Sequence, residues 1–168
     1  MPRGERSGPE IEVREASAED AEALYSLAGE LAATLGDSAP RFEDVRARLL
    51  ELLEEPRARV LVAESGDGAV VGVVSLWIKP DLAHGDTAVE VPMLVVTEGS
   101  RGEGVGKALM EVVRRLGAEN EANLIELVAS THNVEAREFY RTLGFVETDH
   151  ITLEFVGDME DPPDAEGD

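Results

Sequence analysis

The chain has 168 residues, 43% of them hydrophobic, a formal net charge of −21 and no cysteine. Such a length is enough for one domain with a single core, and the composition is ordinary for a soluble globular protein. The negative field repels nucleic acid and excludes a DNA- or RNA-binding role. Without cysteine there is no disulfide, no thiolate nucleophile and no Cys-containing metal site.

His84, His132 and His150 lie too far apart to suggest zinc, so no metal is expected. No apolar run reaches the length of a membrane span, and the start MPRGERSGPE lacks the apolar core of a signal peptide, so a cytoplasmic location is expected. Of the 15 basic residues only Lys79 and Lys107 are lysines, against 36 acidic ones. This charge attracts a cationic substrate such as an amine, a polyamine or a basic peptide. It equally suits a saline cytoplasm, the favoured reading because the acids are spread along the chain.

Residues 1–9 are polar and read as a mobile tail. Ile11 to Val13 alternates as a first strand. Ser17 with Asp20 starts a helix whose apolar residues Leu24, Leu27, Ala28, Leu31 and Leu35 keep helical spacing up to Gly36. A second helix is expected from about Arg41 to Glu54. Arg59 to Glu64, the turn Gly66-Asp-Gly68, and Ala69 to Ile78 read as a hairpin. Lys79 to Asp86 reads as a loop and Thr87 to Val96 as a strand, in which Pro92 removes one ladder donor and so implies a bulge or an edge. Leu124 to Val128 is a further strand, Val134 to Leu143 a helix, and Phe145 to Phe155 a last strand. Residues 157–168 are acidic, contain proline and are expected to be disordered.

The segment Val95 to Met110 is the most informative. An apolar strand enters the turn Arg101-Gly-Glu-Gly-Val-Gly106, which opens directly into a helix over about Val105 to Leu116. Glycines at 102, 104 and 106 let the backbone curl tightly against a ligand, and the helix adds free first-turn N–H groups and the positive end of its dipole. The arrangement suits an anion, a pyrophosphate above all. A dinucleotide fingerprint would need glycine at Lys107 or Leu109. A Walker A loop would need glycine at Arg101 and Ser or Thr at Ala108.

Arg101-x-x-Gly104-x-Gly106 after a Val-Val strand resembles the acyl-CoA signature of the GNAT superfamily of N-acyltransferases. Asn133-Val-Glu-Ala-Arg-Glu-Phe-Tyr140-Arg-Thr-Leu-Gly-Phe145 resembles the same family's C-terminal motif, in the family's order. The likeness covers about Thr87 to Phe155 and is compatible in element order before that. It implies a single-domain α/β fold over residues 10–156, with a mixed, mostly antiparallel sheet and helices on both faces. It also implies acetyl-CoA as co-substrate, and a dimer is common among relatives.

Acyl transfer from a thioester to an amine needs the cofactor held, the ammonium deprotonated, and the leaving thiolate protonated or stabilised. Gly102, Glu103, Gly104, Val105, Gly106 and Lys107 are expected to hold the pyrophosphate, with charge from Arg101 and Lys107. Lys107 fits a solvated residue of the first helical turn equally well. The resemblance implies that the backbone of Leu94, Val95 and Val96 holds the pantetheine arm as an added strand, and that Asn133, a helix cap, also touches the cofactor.

Glu90 is the expected base. It lies eleven positions before Arg101, as the base does in some family members. It shares strand parity with Leu94 and Val96, and is flanked by Val89, Val91 and Met93, which would desolvate it. Glu126 in the next strand competes for the role, and a water chain is a third route. Tyr140 is the expected acid, about two helical turns after Asn133. His84 and His132 read as loop residues, His84 within reach of a substrate. Trp77 and Phe42 suit core packing or the acceptor pocket.

The expected activity is direct transfer of acetyl to a primary amine on a small molecule or peptide. A regulatory module that binds acyl-CoA without turnover is the alternative, and a structural subunit of an acylating complex is a third reading.

Overall fold

The computed structural model describes residues 10–161. The expected tails, 1–9 and most of 157–168, lie outside the described residues. The chain divides after Ser130 into two compact units.

The first unit is built on a sheet whose strands, among the described residues, lie side by side in chain order. Its strands are β1 (Glu12–Glu15), β2 (Ala58–Glu64), β3 (Val70–Asp81), β4 (Asp86–Val96) and β5 (Leu124–Glu126). The first three pairings are antiparallel and β4–β5 is parallel, which gives the mixed, mostly antiparallel sheet that the sequence implied. Pairing of β3 with β4 runs out to Asp81 and Asp86, so the expected Lys79–Asp86 loop shrinks to a tight turn with Leu82 at its tip.

Helices α1 (Ala21–Leu35) and α2 (Phe42–Glu54) cover one face. Leu24 and Leu27 of α1 and Leu49 of α2 are buried in one cluster with Val60, Val62, Val73 and Val95 of the strands. Phe42 packs on this cluster and meets Tyr25 edge-on at 5.7 Å. Gly36 closes α1 as expected, its N–H donating to the Ala32 and Ala33 carbonyls.

The other face carries α3 (Val105–Glu119), whose Leu109, Met110 and Val113 are almost fully buried. The approach is close at Gly72, where a Cβ would stand 2.9 Å from Val105 Cγ1 and 3.1 Å from Leu109 Cδ1. A larger residue there would displace the start of α3, and the glycine turn with it.

The entry to α1 is tied to the sheet by charge. The Arg14 guanidinium donates to both Asp20 oxygens at 2.8 Å and to Glu64 at 3.2 Å, and the Ser17 N–H donates to Asp20 Oδ2 at 2.8 Å. These bonds, Arg14's first, hold the buried Asp20 carboxyl below the usual aspartate range.

The second unit holds α4 (Val134–Thr142) and a segment from Leu143 to Asp161 without regular structure. Arg137 pins part of that segment through Glu147, at 2.7 and 2.9 Å. The strand expected over Phe145 to Phe155 is absent. Val146, Ile151 and Leu153 are 86%, 80% and 85% exposed. Alternation favours a strand only where a neighbouring strand completes the ladder, and none among the described residues does so here.

Candidate active site

The glycine turn is the centre of the site in the first unit. Gly102 and Gly104 have φ of 80° and 85°, a left-handed conformation that side chains disfavour, while Glu103 between them stays on the ordinary side. Left-handed residues alternating with ordinary ones are the backbone pattern from which anion-binding turns are built. The first helical bond of α3 runs from the Ala108 N–H to the Gly104 carbonyl at 3.0 Å. Among the described residues, no N–H from Gly102 to Lys107 finds an acceptor. Val105 and Gly106 are buried and anchor the helix start, whereas Glu103 and Lys107 are exposed around it. Arg101 is fixed by its Nε, which donates to the Val96 carbonyl at 3.1 Å. Its charge therefore stays beside the end of β4.

That strand has one open side. β5 pairs only with Ala88, Val89 and Glu90. Leu94, Val95 and Val96 pair with Val74, Val73 and Gly72 of β3 and have no strand on the β5 side among the described residues. Backbone groups left free on such an edge accept an extended ligand as they would another strand.

Pro92 explains where the open side begins. Met93 pairs with Ser75 and Glu90 with Trp77, so Val91 and Pro92 together oppose Leu76 alone. This is the bulge that the proline implied. Its extra residue also resets strand parity. Val73 and Val95 pair on the α1–α2 face, and so do Ser75 and Met93; beyond the bulge Trp77 and Glu90 continue that face. Glu90 therefore shares a side with Met93 and Val95, not with Leu94 and Val96 as simple counting suggested.

The surroundings of Glu90 differ from the expectation as well. Val89 is turned to the α3 side, against Gly117, and does not shield the carboxylate. Glu90 is 39% exposed and forms an ion pair with Lys79, its diagonal neighbour across β3–β4. The bond from Glu90, reinforced by the charges of Glu126 and Asp81, raises the Lys79 ammonium above the usual lysine range. Glu126 lies in register beside Glu90 in the parallel pair. Sequence reading missed Lys79, because the diagonal contact depends on how far the hairpin stays paired.

On the same face lies a cavity of about 250 Å³. Leu24 and Ala28 of α1, Val45 and Leu49 of α2, and Val60 and Met93 of the sheet line it. Trp77 and Phe42 do not line this cavity. His84 sits in the β3–β4 turn, exposed, with Nδ1 2.6 Å from Asp81 Oδ2; that bond raises its pKa.

In the second unit, Asn133 caps α4, its Oδ1 accepting the Ala136 N–H at 3.1 Å. Seven residues on, Tyr140 packs its ring on Phe139 and Phe145, with centroids at 5.3 and 5.6 Å. Burial of the ring raises the phenol above the ordinary tyrosine pKa, so the hydroxyl keeps its proton at neutral pH. That hydroxyl has no hydrogen-bond partner among the described residues and is not sealed from solvent.

The sequence matches the family model described as Acetyltransferase (GNAT) family over residues 19–145. It is similar to a mycothiol acetyltransferase of Beutenbergia cavernae, 34% identical over 154 residues; the match covers 86% of this chain and only 46% of that protein. It also resembles an aminoalkylphosphonate N-acetyltransferase of Salmonella typhimurium, 29% identical over 148 residues, covering 88% of this chain and 93% of the relative. Among solved structures, the aminoglycoside N-acetyltransferase AAC(6')-Iy in complex with CoA shares the fold. Its TM-score is 0.76 at 22% identity, with 92% of this chain and 97% of that one covered. Fold, glycine turn and family match agree, and the chain belongs to the GNAT family of acetyltransferases, whose acyl donor is acetyl-CoA.

Proposed function

We propose that this chain moves an acetyl group from acetyl-CoA to a primary amine by direct attack, with no covalent enzyme intermediate. The observation that carries the reading is the run of free N–H groups from Gly102 to Lys107, at the end of a strand open on one side. In this reading the turn and the dipole of α3 hold the pyrophosphate, with Arg101 and Lys107 adding positive charge. The backbone of Leu94 to Val96 holds the pantetheine arm, and Asn133 contributes from the start of α4. The relatives named for mycothiol, aminoalkylphosphonate and aminoglycoside acetylation support an amine acceptor.

Glu90 takes a proton from the acceptor ammonium. The amine nitrogen attacks the thioester carbonyl, the C–S bond breaks, and Tyr140 gives its proton to the departing thiolate. As the amide forms, the nitrogen sheds its second surplus proton, which restores Tyr140 by way of solvent; Glu90 returns its own proton to solvent, and the acetylated amine and free CoA leave. The free, protonated hydroxyl of Tyr140 supports its part.

The ion pair between Glu90 and Lys79 favours a second reading, a module that binds acetyl-CoA without turnover, because it occupies the carboxylate. Calorimetric titration with acetyl-CoA at low and high salt, followed by thiol release with a panel of amines, separates them. Micromolar binding with thiol release is expected. Binding without release across the panel supports the silent module, and no binding at either salt removes both.

A further inference from the structure

We propose that the acceptor is a primary amine carried on a compact apolar body, and that the cavity under α1 and α2 holds that body. The proposal rests on the acetyltransferase reading above and names the substrate class of the same site. The cavity is about 250 Å³, below the range of about 300–1,000 Å³ common for drug-sized ligands. It therefore suits a phenyl or short alkyl group.

Its walls are the apolar side chains of Leu24, Ala28, Val45, Leu49, Val60 and Met93. Among the described residues, only Ser75, Asp44 and Arg48 bring polar side chains to it. Asp44 is held by Arg41 at 2.9 Å and Arg48 by Glu51 at 2.8 Å, so each charge is already balanced by an exposed neighbour. A polycation or a sugar entering this space would lose water from several charged or hydroxyl groups and find almost no partners in return. An amine with one ammonium and an apolar body buries only what the walls match.

The orientation follows from the bulge. Met93 lines the cavity, and three residues earlier Glu90 faces the same side of β4. With its apolar body against Met93, the acceptor presents its ammonium toward the Glu90 end of the strand. The net charge of −21 draws cations to the protein, and the apolar walls select among them.

The test compares kcat/KM for 2-phenylethylamine, ethylamine, spermidine and kanamycin, with acetyl-CoA binding measured separately by calorimetry. The expected result is a preference for 2-phenylethylamine of about 10-fold or more over each of the others. Ala28→Phe, which fills the cavity, is expected to lower that kcat/KM by about 10-fold or more. On the unaltered protein, 2-phenylethanol is expected to compete with the amine and not with acetyl-CoA. With acetyl-CoA bound, a preference for spermidine or kanamycin, or no turnover of any of the four, overturns the apolar acceptor alone. Absence of acetyl-CoA binding overturns the acetyltransferase reading beneath it.

Discussion

Glu90 and Met93 stand three positions apart in β4 yet face the same side of the sheet, because Val91 and Pro92 together oppose the single residue Leu76. In an unbroken strand an odd separation puts two residues on opposite faces. The bulge puts the candidate base on the face that carries the cavity, and it lies where β4 loses its β5 partner.

The two strand carboxylates should separate kinetically. Glu90→Gln is expected to lower kcat by about 10²-fold, within the span usual for a lost general base. Glu126→Gln, one strand away, should change kcat less than about threefold. Steady-state rates of both variants check this; equal losses would point to a shared water chain in place of one base.

Tyr140→Phe should reduce kcat by about 10²-fold or more and leave acetyl-CoA affinity nearly unchanged, since in the proposed mechanism the hydroxyl acts only as the C–S bond breaks. Because burial raises the phenol pKa, the acid stays protonated up to and beyond the ordinary tyrosine value of about 10. A fall in kcat below that pH therefore has to come from another group. Parallel loss of binding and turnover would sink the assignment.

Gly104→Ala isolates the cradle. Among the described residues, nothing beyond the two chain neighbours lies within 4 Å of the added methyl, so the structural cost is the left-handed backbone alone, about 1–2 kcal/mol. Acetyl-CoA affinity is expected to fall about 10-fold or more, because the methyl and a relaxed turn both disturb the N–H groups that hold the phosphates in the proposed reading. Calorimetry beside a thermal melt distinguishes the two effects; unchanged affinity would remove the turn from the binding site.

Asp20→Asn should destabilise the fold by about 3 kcal/mol, because among the described residues it leaves Arg14 with Glu64 as its one carboxylate partner and weakens the hold on Ser17. The folded-state pKa of Asp20 lies below its unfolded value, so its contribution is present above the unfolded value of about 3.9. It is lost as pH falls through the lower folded value. Urea melts at neutral and acid pH should show the wild type and the variant converging in acid.

Within the first unit, much was legible along the chain because it depends on neighbours in sequence. Glycines at 102 and 104 meet a local demand for left-handed backbone, and the apolar spacing of Val105, Leu109 and Val113 specifies which face of α3 is buried. Pro92, lacking an N–H, announces a bulge wherever its strand pairs. These features need no knowledge of what lies across the sheet. The direction in which Glu90 points, its bond to Lys79, the cavity and the missing last strand all depend on pairings between distant segments. Counting residues within β4 assigns Glu90 to the wrong face, because the bulge exists only in register with β3. The alternation over Phe145 to Phe155 describes a chain able to form a strand, but a strand requires backbone partners that the segment cannot supply for itself.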